Sequence, residues 1–371
     1  MKVLYDHQIF TIQIYGGISR YFIELMKKFE NDNEVEYKLS LKYSNNYHLK
    51  ELNRLIYKTF FESYSFKGKY RLLNLLNILN KKVSKKYISM GDYDIFHPTY
   101  YDPYFLDYIG RKPFVLTIYD MIHEIYPEMF SLKDETSKRK KLLVQKATKI
   151  IAVSENTKKD IIRFFSIDTN KIEVIYCGTL FDMNGSRNNK VDIDLPEKYI
   201  LYVGNRGGYK NFNLFIKAIA PLLIKNNELK VVCVGGGKFK GIEEEKFKKL
   251  NIINKVFQYS VNDDILSHLY KKAIVFVFPS LYEGFGIPIL EAFSCGCPVI
   301  TSNTSSLPEV AGDAAIYFDP TNKLSISSSI QKVIYDSNLR NQLIYKGYQR
   351  VKEFTWEKTA EKTKKIYESI M

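Results

Sequence analysis

The 371-residue chain carries 55 Lys and Arg against 41 Asp and Glu, a net charge of +14, with 45% hydrophobic and 26% charged residues. This length and composition exclude a small staple-dependent fold, a disordered chain and a collagen-like repeat, and predict two or three domains that each bury a core. The positive charge alone leaves nucleic acid, an anionic membrane surface and a phosphorylated substrate open.

Short apolar runs alternate with amphipathic stretches along the whole chain, the pattern of βα units feeding a parallel sheet. The first series of predicted strands is Lys2 to Tyr5, Tyr37 to Leu41, Ile95 to His97, Phe114 to Ile118, Lys149 to Val153 and Ile172 to Ile175. The stretch from Phe181 to Lys198, rich in Asn, Asp, Gly and Pro, has no period and is expected to link two domains. A second series follows at Tyr199 to Val203, Lys230 to Val234, Val256 to Tyr259, Ile274 to Phe278, Pro298 to Thr301 and Ala315 to Phe318. Two doubly wound α/β domains, 1–180 and 181–350, are therefore expected. A terminal helix within 351–371, with Trp356, Ala360, Ile366 and Tyr367 at helical spacing, is expected to pack across their junction. Open sheets of this kind place ligands at the carboxyl ends of their strands, so chemistry should lie just after strands.

Four cysteines, Cys177, Cys233, Cys295 and Cys297, are too few and too irregularly spaced for a disulfide framework or a zinc site. Asp6 and His7 stand where a signal peptide needs its apolar stretch, and no run approaches the roughly 18 apolar residues of a membrane span. A cytoplasmic location is expected, with peripheral attachment to the inner face of the cytoplasmic membrane left open.

In chain order, the first candidate is Gly16-Gly17, two glycines opening a helix after the first strand, where free amides and the dipole favour an anion. After the fourth strand, Asp120 and His123 stand where a sugar or an acceptor hydroxyl can be met, with Tyr119 directly before Asp120. His97 ends a strand and is a weaker candidate, while Ser154 reads as a helix cap. After the first strand of the second series, the turn Gly204 to Asn211 brings Arg206 and Lys210 to the crevice, where they can meet a departing diphosphate. Gly236, in Gly235-Gly236-Gly237, either lets the backbone approach a nucleotide or only makes a tight turn.

The densest motif follows Ile274 to Phe278: Pro279-Ser-Leu-Tyr-Glu283-Gly284-Phe285-Gly286-Ile-Pro288-Ile-Leu-Glu291. Gly284 and Gly286 permit unusual backbone angles, and Pro288 starts a helix expected from Ile287 to Ser294 whose amides point at an anion beside Gly286. Glu283 and Glu291 flank that turn as acceptors for sugar hydroxyls, and carboxylates beside a diphosphate suggest a nucleotide sugar.

Two glutamates eight apart within this sequence, continued by Asn303 to Ala315, resemble the signature of the retaining glycosyltransferases of family 4, and the resemblance extends over nearly the whole chain. It implies the GT-B fold, two Rossmann-like doubly wound domains facing across a deep cleft. By resemblance, Glu283 binds a donor-sugar hydroxyl, Glu291 the ribose, and the amides at Gly284, Phe285 and Gly286 the diphosphate and donor sugar. Arg206 and Lys210 resemble the family's phosphate cations. Tyr119 stands where many members have His, so either Tyr119 or His123 takes that contact. Glu309, in the continuation, is expected to brace a helix.

The implied reaction is retaining and independent of metal or cofactor, and moves a sugar from a nucleoside diphosphate, with GDP-mannose the expected donor. The acceptor is an oligosaccharide or lipid-linked hydroxyl in bacterial O-antigen or other surface polysaccharide synthesis. UDP-sugar transfer, nucleotide-sugar epimerisation and phosphorolysis use the same crevice and stay open, as does a non-enzymatic basic adaptor for membrane or nucleic acid. Residues 1–180 hold 29 Lys and Arg against 21 Asp and Glu, and the excess of +8 falls within 50–86. There cations interleave with Leu, Ile and Phe, reading as basic amphipathic helices that either lie on an anionic membrane or present a solvated face. No nucleic-acid recognition motif accompanies them.

Overall fold

A computed structural model describes residues 1–53, 57–60, 69–179, 181 and 193–371, the side chains of 69–72 and 74 excepted. The chain forms two compact units, Met1–Cys177 with Trp356–Met371, and Gly178–Thr355.

In the first unit the strands are β1 (Lys2–Asp6), β2 (Glu36–Ser40), β3 (Ile95–His97), β4 (Val115–Ile118), β5 (Lys149–Ala152) and β6 (Ile172–Val174). They form two parallel three-stranded sheets, β2-β1-β3 and β4-β5-β6, and a parallel bridge between Phe96 and Phe114 joins the β3 and β4 edges. The helices are α1 (Gln8–Ile12), α2 (Gly17–Phe29), α3 (Lys69–Met90), α4 (Ile122–Ile125), α5 (Thr136–Lys146) and α6 (Glu155–Phe165). β1 pairs with β2 on one side and β3 on the other, so the chain changes its direction of winding between β1 and β3. Ser154 caps α6, its Oγ accepting from the Thr157 amide at 3.0 Å.

The second unit holds β7 (Lys198–Val203), α7 (Phe212–Lys225), β8 (Leu229–Val234), α8 (Gly241–Lys249), β9 (Val256–Tyr259), α9 (Asp263–Lys272), β10 (Val275–Phe278), α10 (Ile287–Ser294), β11 (Val299–Ser302), α11 (Leu307–Ala311), β12 (Ala315–Phe318), α12 (Lys323–Tyr335) and α13 (Ser337–Val351). Its single parallel sheet runs β9-β8-β7-β10-β11-β12, the doubly wound order, whose winding reverses between β7 and β10. Central strands such as Val275-Phe-Val-Phe278 are buried at every position because helices cover both faces, which is why they read as unbroken apolar runs. Every strand expected from the sequence is present.

The last helix, α14 (Trp356–Glu368), belongs to the first unit. Its Tyr367 hydroxyl lies 2.9 Å from that of Tyr5 on β1 and 2.7 Å from Nδ1 of His97 on β3. Trp356 packs edge-on against Tyr21 of α2. Of the linker expected over Phe181 to Lys198, residues 182–192 lie outside the described residues. So do Arg54 and Lys67 of the basic segment, whose described helical part is α3.

Candidate active site

The site of the second unit forms where its winding reverses, from the loops after β7 and β10. Leu281 donates its amide to the Tyr209 carbonyl at 2.7 Å, tying the loops together. Across them Lys210 Nζ meets Glu283 Oε1 at 2.6 Å, both side chains largely buried. Lys210 also lies over the rings of Tyr209 and Phe278. The expected phosphate cation and sugar-binding carboxylate thus neutralise each other.

The next residues hold the loop in shape. Ser305 Oγ accepts from the Glu283 amide at 3.0 Å, and Ser306 Oγ lies 2.8 Å from the carbonyls of both Glu283 and Phe285. Gly286 adopts φ +114° and caps α10, which spans Ile287–Ser294 as expected. A Cβ there would lie 3.1 Å from Leu307, so the close approach of α11 also favours glycine. Glu291 points inward and is buried, its Oε2 accepting from the Tyr270 hydroxyl at 3.0 Å. Ribose hydroxyls would have to share that carboxylate with Tyr270.

Arg206 is held otherwise than as a phosphate-facing cation. Its guanidinium is buried, and all three nitrogens are engaged: Nε with Glu243 Oε1 at 2.7 Å, one Nη with the Gly235 carbonyl at 2.6 Å, the other with the carbonyls of Gly236, Gly237 and Lys238. The group lies over the Phe239 ring, 4.9 Å from its centroid. Burial opposes ionisation of Glu243, but the hydrogen bonds from Arg206 and the Lys240 amide, together with the charges of Arg206 and Lys240, outweigh it and hold the carboxyl below the usual range. Gly236, expected beside a nucleotide, instead covers Arg206. It has φ +70°, and a Cβ would stand 2.7 Å from the guanidinium. Of the two readings of this turn, its contacts describe the tight one.

In the first unit, Gly16 caps α2, but the Gln13 side chain occupies the helix start. Its Oε1 accepts from the Ser19 amide at 3.0 Å, and a Cβ on Gly16 would collide with it. Gly17 has open space around its Cα. Asp120 Oδ1 accepts at 3.1 Å from the amide of Ile122, the first residue of α4. His123 stacks on Phe130 with ring centroids 3.9 Å apart, its Nε2 3.5 Å from Asp134. Burial and the nearby Lys140 charge keep its pKa below the usual histidine value. Tyr119 buries its hydroxyl and packs among Tyr21, Phe22 and Tyr101, so it does not present that hydroxyl to solvent. His97 is a buried structural histidine between Tyr367 and Thr117, its pKa pushed down to about 3 by burial.

Sequence reasoning missed Lys140. It is fully buried, with Nζ 2.6 Å from Glu124 Oε2 and 3.1 Å from the Asp120 carbonyl. The run Lys138-Arg-Lys-Lys141 looks solvated, yet Lys140, Leu143, Val144 and Ala147 recur at helical spacing, and that period marked Lys140 as inward-facing. Glu309 sits in the first turn of α11, and its carbonyl accepts from Arg350 at 2.6 Å.

Residues 15–179 match the family model described as Glycosyltransferase Family 4, and residues 184–350 the one described as Glycosyl transferases group 1. O-antigen chain mannosyltransferase B of Escherichia coli is 30% identical over 294 residues, 75% of each chain. The chain belongs to the family 4, group 1 glycosyltransferases. The N-acetylgalactosamine-N,N'-diacetylbacillosaminyl-diphospho-undecaprenol 4-alpha-N-acetylgalactosaminyltransferase of Campylobacter jejuni is 30% identical over 222 residues, 59% of this chain and 60% of that one. Sucrose-phosphate synthase from Thermosynechococcus elongatus superposes with a TM-score of 0.75 at 20% identity, covering 99% of this chain and 98% of that one. The glycosyltransferase therefore has the GT-B fold, with the Lys210–Glu283 pair in its group 1 half and the Asp120–His123 segment in its family 4 half.

Proposed function

We propose that this glycosyltransferase moves a mannosyl group from GDP-mannose, with retention and without a metal, to a hydroxyl of a lipid-linked or oligosaccharide acceptor in bacterial surface polysaccharide synthesis. The observation that carries this reading is the Lys210–Glu283 pair at the point where the second sheet reverses its winding. On donor binding Lys210 turns to the diphosphate, joined by amides at Gly284 to Gly286, and Glu283 accepts a hydroxyl of the donor sugar. The bond from the anomeric carbon to phosphate oxygen breaks, and its electron pair leaves on the diphosphate. The acceptor oxygen attacks the same face, and its proton passes to the departing phosphate oxygen. Asp120 and His123 belong to the acceptor side of this reading, and Glu291 to the ribose side. Mannose as the sugar and a diphosphate-linked lipid as the carrier follow what the Escherichia coli and Campylobacter jejuni relatives are named for.

A thermal-shift panel of GDP-, UDP- and ADP-sugars tests the donor, because a ligand that binds only the folded state stabilises it according to occupancy. GDP-mannose should give the largest shift, and a larger UDP-sugar shift would overturn the base assignment. Product should form only with an acceptor present, whereas conversion of donor alone would point to epimerisation. Full activity in Glu283→Ala would sink the transferase site.

No helix among the described residues is long and apolar enough to cross a membrane. For attachment we propose α3, which exposes Leu75, Ile78 and Leu79 beside Lys82 and Lys86. At about 1 kcal/mol per cation near an anionic surface, Lys82→Ser with Lys86→Ser should weaken binding to anionic vesicles about 30-fold. Unchanged binding would leave α3 a solvated face. Lys81 is unsuited to this test because it pairs with Asp102 at 2.7 Å.

A further inference from the structure

Helix α9 reads Asp263-Asp-Ile-Leu-Ser-His-Leu-Tyr-Lys-Lys272 and buries Leu266, Leu269 and Tyr270 on one face, at the spacing of adjacent turns. Its ends are fixed. The Asn262 side chain accepts from the Ile265 amide at 3.0 Å, and Asp263 and Asp264 in the first turn and Lys271 and Lys272 in the last complement the helix dipole. Tyr270 is thus carried into the core by a rigid element. Its ring, fully buried, meets Phe276 of β10 edge-on with centroids 5.3 Å apart, and Phe181 at 6.3 Å. A buried tyrosine hydroxyl needs a hydrogen-bond partner. Here the partner is Glu291 Oε2, 3.0 Å away on α10.

We infer that Tyr270 is a positioning residue for the nucleotide: its hydroxyl holds the Glu291 carboxylate in the orientation that accepts the ribose hydroxyls. The inference rests on the reading of Glu291 as the ribose contact and extends it to a residue on another helix that touches no ligand itself.

Three observations support it. Glu291 lies at the fifth position of the eight-residue α10, and its long side chain has rotamer freedom that a fixed donor removes before any ligand arrives. The hydroxyl stays a donor, because burial and the neighbouring Glu291 charge push the Tyr270 pKa well above the usual tyrosine value. Burial also separates the two roles: Glu291 keeps 8% of its surface exposed and Tyr270 none, so a ligand can reach the carboxylate and not the hydroxyl that orients it.

The test uses the full-length protein and compares GDP, UDP and ADP with their 2′,3′-dideoxy forms by isothermal titration calorimetry, in wild type and Tyr270→Phe. The substitution removes one oxygen and keeps the ring that packs on Phe276 and Phe181. Wild type should bind its preferred nucleotide about tenfold or more tightly than the dideoxy form, the scale of hydrogen bonds to a charged group. In Tyr270→Phe that preference should fall to about threefold or less, with the dideoxy form bound within about twofold of wild type. Both forms titrate the same preparation, so the ratio holds even where part of the variant is unfolded. In transfer assays Tyr270→Phe should raise the donor KM by a matching factor and leave kcat and the acceptor KM within about twofold. Added to Glu291→Gln, it should change nucleotide affinity by less than about twofold, since the hydroxyl acts only through the carboxylate. An undiminished ribose preference in Tyr270→Phe, including equal weakening of both forms, overturns the inference and leaves the ribose role of Glu291 standing. Absence of a ribose preference in wild type overturns that role and the inference with it.

Discussion

Two glycine turns of the second unit follow the strands on either side of β7 and face opposite conditions. The turn after β8 is filled by protein, with Arg206 donating to four successive carbonyls and to Glu243. The loop after β10 is joined to the β7 loop by the Lys210–Glu283 pair and braced from the other side by Ser305 and Ser306. Arg206 and Lys210 are four residues apart, yet one stabilises a turn and the other pairs with Glu283 across two loops. A cation in a glycine-rich loop is thus not by itself a ligand group; the carbonyls within its reach decide.

The largest effect should separate the two cations by activity. Lys210→Ala should lower transfer about 10²–10³-fold, the usual cost of losing one electrostatic donor at a developing charge, with the melting temperature unchanged. Glu283→Ala should abolish transfer more completely than Glu291→Ala, whose carboxylate is tied to Tyr270. Full activity in Lys210→Ala would erase the distinction.

Arg206→Ala should show the converse, a stability loss of about 3 kcal/mol in urea unfolding, because it strands Glu243 and several carbonyls. Unaltered stability with lost nucleotide binding would return Arg206 to the diphosphate.

His97 offers a third test, in the first unit. Its unfolded form takes up a proton near pH 6.5 while the folded form stays neutral down to about 3. Its contribution is therefore complete above pH 6.5 and is lost as pH falls, at up to about 1.4 kcal/mol per pH unit. Urea midpoints at pH 7 and pH 5 should differ less in His97→Gln than in wild type; an equal difference would exclude His97 as the cause.

The smallest effect is Gly236→Ala, expected to cost about 1–2 kcal/mol from its left-handed backbone and the contact with Arg206. In a double-mutant cycle that cost should shrink when Arg206 is already Ala. Strict additivity would mean the turn does not depend on the guanidinium.

Much of this was legible in the chain. Among the described residues, the central strands β1, β4, β7, β8, β10 and β11 stand out because a parallel sheet covered on both faces needs apolar runs. The helix at Ile287–Ser294 was announced by Gly286 and Pro288. Side-chain partnerships were not legible. Gln13 over the start of α2, Glu243 against Arg206 and Tyr270 against Glu291 join residues up to 37 apart in sequence, through loops whose paths have no period to read.

By itself the sequence determined the alternation of strands and helices, the family and the loops that carry chemistry, because local periodicity and glycine spacing follow from backbone geometry. Only the tertiary structure decided which charges are engaged within the protein. Whether Arg206, Lys140 or His97 meets a ligand or a group of the protein itself depends on distances of a few ångströms between segments far apart in the chain, and burial makes those contacts obligatory.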